Sequence, residues 1–126
     1  VIDPQARPSR EDFESLVSGC DLLVVPTTPD AMALDAMLDT VEVLQTLNAE
    51  RFKVLITVVP PRPARDGDDA RAALLELGLP LFGGYIRRYK AFQTAAEQGI
   101  IVSESKADHA ADGWADYLAI GAEILP

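Results

Sequence analysis

Short runs of apolar residues alternate along the chain with longer stretches whose apolar positions recur at helical spacing. The runs at residues 21–25 and 52–59 are largely aliphatic, as in parallel strands that are buried on both faces. A weaker run at residues 81–86 contains Gly83-Gly84, and a short run at the beginning ends in Asp3. We therefore predict strands at residues 1–3, 21–27, 52–59 and 81–86.

Helical spacing marks the segments between these runs. Ser9 and Asp12 fit a capping box at the start of the first helix, and Asp30 lies near the start of the second. The last helix is predicted at residues 108–124, with an apolar stripe formed by Trp114, Tyr117, Leu118, Gly121 and Ile124. This alternation predicts an α/β fold, with a mostly parallel sheet and helices on both faces.

Composition limits the classes of protein to consider. The chain has 126 residues and is 48% hydrophobic, which suits one domain with a substantial core. It has one cysteine and one histidine, which excludes a zinc cluster. We see no signal peptide and no apolar run long enough to cross a membrane, so we expect a cytoplasmic protein without membrane association. A net charge of -9 opposes broad electrostatic attraction to nucleic acid.

Polar or rigid groups follow each predicted strand, at the edge where open parallel sheets bind ligands. They are Asp3, Thr27, Thr28, the proline loop of Pro60, Pro61, Arg62 and Pro63, and Arg87 with Arg88. Asp3 has the chemistry to hold Mg²⁺ beside nucleotide phosphates, and it has equally the chemistry to begin a turn.

Two neighbouring groups leave similar alternatives open. The proline loop either forms a rigid wall for a flat ring or simply ends the strand. The cluster of Arg87, Arg88 and Lys90 either forms a local basic patch that contacts phosphate or is a solvated strand end. His109 is interpreted as a surface histidine, since no partner is evident from the sequence.

Five stretches together form a recognisable pattern over nearly the whole chain. They are Val1-Ile2-Asp3, Cys20-Asp21-Leu22-Leu23-Val24-Val25-Pro26-Thr27-Thr28-Pro29-Asp30, Val54-Leu55-Ile56-Thr57-Val58-Val59-Pro60-Pro61-Arg62-Pro63, Tyr85-Ile86-Arg87-Arg88 and Trp114-Ala115-Asp116-Tyr117. With them the chain resembles the ParA/MinD family of deviant Walker ATPases, and most of all the ParA-like branch that includes carboxysome-positioning proteins. The resemblance implies a P-loop NTPase-like fold, of which residues 1–126 are the carboxyl-terminal part of a single ATPase domain.

The resemblance also implies roles for particular residues. Asp3 falls at the Walker B aspartate, which makes it the candidate catalytic and Mg²⁺-organising residue, and residues 4–8 fall in the switch-like loop after it. The adenine-side positions are Pro60, Pro61, Arg62, Ile86 and Arg87.

The family's activity implies the remaining expectations. Its members form ATP-dependent homodimers that bind DNA non-specifically, and a partner protein activates their ATP hydrolysis. Such cycles partition DNA or position large cargoes. In the complete protein we therefore expect ATP and Mg²⁺ as cofactors, and contact with DNA through the basic patch of Arg87, Arg88 and Lys90.

Two departures from the family pattern qualify this picture. The first motif reads Asp3-Pro4-Gln5 where members often have Asp-Thr-Pro, and the glycine-rich Walker A loop is absent from these residues. We therefore expect a longer protein, and no ATP hydrolysis by the 126 residues alone. The alternatives are a non-catalytic dimerisation or interaction module and an ATP-dependent synthetase of the same superclass, which the sequence upstream would distinguish.

Overall fold

The computed structural model describes residues 2–4 and 8–125. Within them the chain forms two strands and five α-helices, in the order α1 (Arg10–Gly19), β1 (Leu23–Thr27), α2 (Ala31–Thr46), β2 (Phe52–Ile56), α3 (Asp66–Glu76), α4 (Lys90–Gln98) and α5 (Ala110–Ile124), with a 3-10 turn at Val102–Glu104. β1 and β2 pair in parallel, with Leu23 opposite Phe52 and Thr27 opposite Ile56. The predicted α/β class and the parallel alignment of these two strands are confirmed.

Short-range hydrogen bonds set the starts of the first two helices. Ser9 accepts the Asp12 N–H at 3.2 Å, while the Asp12 carboxylate accepts the Ser9 N–H at 2.9 Å. Asp30 caps α2 by accepting the Ala33 N–H at 2.9 Å. Each contact satisfies an amide that the first helical turn leaves without a partner. The predicted capping box at Ser9 and the predicted place of Asp30 at the start of the second helix are confirmed.

Helices cover both faces of the sheet. Successive side chains of β2 point in opposite directions, so each face of the strand presents apolar side chains for a helix to bury. Val54 and Ile56 pack in the larger core cluster with the buried residues of α2 and with Leu74 of α3. Leu55 points the other way and packs in a second cluster that contains Ile120 of α5. No helix in the described part of the chain combines the length and the apolarity that crossing a bilayer requires.

The fourth predicted strand, residues 81–86, is not a regular strand. The segment runs alongside β2 and its extension, where Leu81 and Arg87 form isolated parallel bridges. Between these bridges the Gly83 N–H binds the two carboxylate oxygens of Glu123, at 2.8 and 3.0 Å, instead of a strand neighbour. The prediction is wrong here because Gly83 and Gly84 supply no side chain that would stabilise a continuous strand.

Other predicted boundaries also shift. Regular pairing of β2 ends at Ile56 rather than at residue 59. Ile2 and Asp3 do not lie in a strand, while Val1 and residues 5–7 of the switch-like loop lie outside the described residues.

The predicted apolar stripe of α5 does not face the core. Trp114, Tyr117 and Leu118 are exposed at 37%, 46% and 55%, whereas the buried positions of the helix include Gly113 and Ile120. A β-carbon at Gly113 would lie 2.8 Å from Cζ of Phe92, so the ring packs directly on the helix backbone at that point. Packing therefore selects the face with the smaller residues.

Candidate ligand site at the carboxyl edge of the sheet

The segments that follow the strands converge at one edge of the sheet. Thr57 donates its N–H to the carbonyl of Thr27 at 2.8 Å. Farther on, Val59 donates to the carbonyl of Ile86 at 3.1 Å and accepts the N–H of Arg88 at 2.8 Å. The loops at residues 57–62 and 86–90 therefore leave the sheet side by side, where open parallel sheets form their ligand crevice.

Most of the predicted binding residues line one cavity of about 690 Å³ at this edge. The proline loop lines it together with residues 87–90 and with residues from the start and middle of α5. The predicted residues that the structure brings together here are Pro60, Pro61, Arg62, Arg87, Arg88 and Lys90. Ile86, by contrast, is buried and lines an adjoining cavity.

The adjoining cavity has a volume of about 650 Å³ and is bounded by the loops and by α4 and α5. Its lining includes Val58, Phe92 and Tyr117. Val58 has a φ angle of 54°, and 48% of its surface is exposed. A β-branched residue in the left-handed region is strained, and strain of this kind is concentrated at functional sites in proteins.

Several hydrogen bonds join Arg87 to Asp116 of α5, which lies 29 residues farther along the chain. The Asp116 carboxylate accepts the Arg87 backbone N–H at 2.9 Å, Nε–H at 3.1 Å and Nη2–H at 2.9 Å. These hydrogen bonds raise the pKa of the Arg87 guanidinium, against the opposing effect of its partial burial. Arg87 therefore stays charged, with a carboxylate as its partner.

An aromatic pair lies beside this contact. The rings of Tyr89 and His109 stack with centroids 5.2 Å apart and planes inclined by 9°, and the Arg87 guanidinium carbon lies 5.1 Å from the centre of the Tyr89 ring. Burial raises the pKa of the Tyr89 phenol. His109 also places Nδ1 at 3.0 Å from the Asp112 carboxylate. His109, which the sequence predicts to be a surface residue, thus contacts both the Tyr89 ring and the Asp112 carboxylate.

The remaining cations of the site are more exposed. Arg62 lies 3.7 Å from Asp68, with 77% of its side chain exposed. Arg88 and Lys90 are exposed, and within residues 2–4 and 8–125 neither forms an ion pair. Sequence reasoning missed Asp116. The signal for it was the run of acids in residues 107–126, opposite in charge to the basic cluster at residues 87–90.

Asp3 lies apart from the two cavities. It is exposed, and its neighbour Pro4 lines a third cavity of about 520 Å³ that also includes Thr28 and Thr57. In the described part of the chain no group of three or more His, Cys, Asp or Glu residues is arranged to hold a metal ion. One carboxylate fits Mg²⁺ only when phosphate and water supply the other ligands.

Comparison with known proteins adds one relative. No protein-family model matches the chain. Over 124 residues the chain is 30% identical to "Maintenance of carboxysome distribution protein A" of Gloeobacter kilaueensis. The match covers 98% of this chain and 57% of that protein, so the chain spans little more than half the length of its relative. This similarity supports the ParA-like relation that the sequence motifs indicate.

Proposed function

We propose that the chain is part of a ParA-like ATPase that positions a large cellular cargo, with carboxysomes as the favoured cargo. The observation that carries the proposal is the 30% identity to a carboxysome distribution protein over 98% of the chain. The parallel β1–β2 pair and the crevice at its carboxyl edge support a P-loop NTPase-like fold of the deviant Walker type.

In this proposal the base of ATP lies against the proline loop. Pro60 and Pro61 offer rigid apolar rings, and they share a cavity with Arg62 and Arg87. Ile86 is buried and lines the adjoining cavity, so it supports the loop beside the base and not the base itself. Asp3 provides one carboxylate for Mg²⁺, which supplies charge compensation to the phosphates when it is bound.

The proposal also includes an ATP-dependent homodimer that binds DNA without sequence preference, and a partner protein that stimulates hydrolysis. Exposed Arg88 and Lys90 support a local contact with phosphate. The net charge of -9 opposes attraction over the whole surface, so any DNA contact is confined to this patch and to residues outside this chain.

Replacement of Asp3 tests the catalytic assignment in the complete protein. We expect Asp3→Ala to lower the rate of ATP hydrolysis by about 10- to 100-fold, because it removes a ligand that organises Mg²⁺. The melting temperature should hardly change, since Asp3 is exposed. Asp21→Ala is the matched control, because Asp21 is also exposed but precedes β1, at the opposite edge of the sheet. Unchanged hydrolysis by the Asp3→Ala protein would overturn the assignment.

A non-catalytic interaction module is the second candidate, and the exposed apolar side chains of α5 favour it. Trp114, Tyr117 and Leu118 form an exposed apolar surface, and such surfaces bind other proteins. Titration of the complete protein with Mg²⁺ and ATP separates the two candidates. Micromolar binding supports the ATPase, whereas absence of binding in a folded protein leaves the interaction module.

A further inference from the structure

Asp116 has a position that the proposed function does not explain. Its side chain is only 11% exposed, although it carries a charge. It binds both the backbone N–H and the guanidinium of Arg87, so it fixes the main chain and the side chain of this residue together. A single carboxylate thus fixes the direction of the Arg87 guanidinium at the cavity.

The same face of α5 holds the irregular segment at a second point. Glu123, about two helical turns beyond Asp116, accepts the Gly83 N–H with its carboxylate. Residues 83–87 are therefore attached to α5 at both ends by carboxylates, in addition to the backbone hydrogen bonds that join Ile86 and Arg88 to β2 and its extension. The sheet extension holds the backbone on both sides of Arg87, and the helix holds its N–H and its guanidinium.

The three cations at the cavity differ in how freely they can bind a phosphate group. The positive charge of Arg87 is compensated at 2.9 Å by Asp116, and its guanidinium also lies against the Tyr89 ring. Arg88 and Lys90 lie beside it with no ion-pair partner in the described ranges 2–4 and 8–125. A phosphate group that enters the cavity must compete with Asp116 for Arg87, whereas it meets the other two cations directly.

We propose that Asp116 is a positioning residue that withholds Arg87 from the phosphate groups of the ligand and leaves Arg88 and Lys90 to contact them. The inference rests on the proposed function, because that function supplies the phosphate, from either ATP or DNA. It refines the assignment of Arg87, which becomes a structural support of the cavity instead of a phosphate-binding cation.

The test is the salt dependence of binding in the complete protein, with Mg²⁺ and ATP present and a mixed-sequence DNA duplex as the probe. In Asp116→Asn the guanidinium is released, so the slope of log K against log salt should steepen by about 0.9. The affinity ratio between about 50 and about 200 mM salt should then increase by a further factor of about 3.5. The steeper slope should disappear in the double variant Asp116→Asn/Arg87→Ala and should be absent in Asp116→Glu.

Asp112→Asn is the matched control, because it removes the same charge from the same helix but leaves the Arg87 contact in place. ATP titration without DNA identifies the source of the phosphate. If Asp116→Asn changes the salt dependence of ATP binding and not that of DNA binding, the withheld group acts on the nucleotide. If folded Asp116→Asn binds both ligands with wild-type slopes, Asp116 is merely structural and the inference is overturned.

Hydrogen exchange of the arginine Nε–H groups in the wild-type protein needs no variant. We expect slow exchange at Arg87 and fast exchange at Arg88, since among the described residues Arg87 has a carboxylate acceptor at Nε and Arg88 has none. Equal rates would overturn the inference even if the Asp116→Asn protein failed to fold. Wild-type protein that binds neither ATP nor DNA would contradict the proposed function instead, and it would do so whatever the exchange rates are.

Discussion

The hydrogen bonds of its two neighbours hold the backbone of Val58 in an unfavourable conformation. Its φ angle of 54° lies in the left-handed region, which is costly for a β-branched side chain. Thr57 is fixed by its bond to the carbonyl of Thr27, and Val59 is fixed by its bonds to residues 86 and 88. The two sets of bonds enclose Val58 between them, and Val58 lines the 650 Å³ cavity.

Replacement of Val58 by glycine tests this strain. We expect Val58→Gly to have a free energy of unfolding about 1 kcal/mol higher than that of Val58→Ala, because only glycine lacks the β-carbon that makes the left-handed region unfavourable. Urea denaturation measures the difference. Val58→Ala is the control, since it removes most of the side chain but keeps the β-carbon. A glycine variant that is no more stable than the alanine variant would contradict the strain.

Asp30 provides a pH-dependent test at the start of α2. The hydroxyl of Thr28 and then the Ala33 N–H, which both donate to the carboxylate, lower the pKa of Asp30 below its ordinary value of 3.8. A lowered pKa in the folded state stabilises the fold above pH 3.8, and this contribution is lost as the pH falls through the folded-state pKa.

Comparison with Asp30→Asn isolates this contribution, because asparagine still caps the helix but does not titrate. We expect the wild-type protein to be more stable than Asp30→Asn near pH 6, and the difference to shrink as the pH falls below 3.8. Urea titrations at several pH values measure the two curves. A difference that stays constant with pH would show that the Asp30 carboxylate is not stabilised by its neighbours.

At the scale of elements, the main question about α5 is which face of the helix packs against the rest of the protein. Phe92 of α4 fits against Gly113, where a β-carbon would lie 2.8 Å from Cζ of the ring. At Gly121 of the same helix, no other part of the described chain comes within 4 Å of the corresponding position, apart from the backbone of the helix itself. The two glycines therefore have different roles, although both lower the intrinsic stability of the helix.

Alanine substitutions separate the two roles. Gly113→Ala should lower the free energy of unfolding by about 1–3 kcal/mol, because the added methyl group forces Phe92 or the helix to move. Gly121→Ala should raise it by about 0.5–1 kcal/mol through helix propensity alone, and it serves as the matched control. Thermal or urea denaturation of both variants gives the comparison. Two changes of the same sign would contradict the packing of Phe92 on the backbone of α5.

The elements show which parts of the fold were open to prediction. The caps at Ser9 and Asp30 were predictable because capping depends on residues within one helical turn. The orientation of α5 was not, because Ile120 and Leu118 lie on different sides of a helix that is apolar around most of its circumference, and periodicity cannot select between them. The strand at residues 81–86 failed because side-chain contacts with α5 replaced strand pairing at Gly83.

At the scale of the whole molecule, the candidate site was predicted only in part. Strand order placed the proline loop and the 86–90 loop at one edge, because carboxyl ends of parallel strands meet there. The contact between Arg87 and Asp116 links residues 29 positions apart, and its geometry depends on how α5 packs. Complementary charge made a contact plausible from the sequence, but only the fold determines which acid of α5 reaches which arginine.

The exposed surface of the whole chain leads to a prediction about association. Leu118 is 55% exposed beside Trp114 and Tyr117 on α5, so these side chains form an apolar surface that self-association would remove from water. We expect the 126-residue chain to form dimers or larger species at concentrations on the order of 10–100 μM, as measured by light scattering. The α5 surface is the expected interface, because the charged side chains of this helix are directed to the other side, toward Gly83, Arg87 and His109.

Glutamate substitutions test both the association and its location. Leu118→Glu should weaken association by roughly tenfold or more, because dimerisation would then bury a charge without a partner. Leu75→Glu is the matched control, since Leu75 is similarly exposed, at 51%, but belongs to α3. Equal weakening by both variants would place the interface elsewhere. A strictly monomeric wild-type chain over the whole concentration range would contradict the prediction, because the apolar side chains of α5 would then remain in water without driving association.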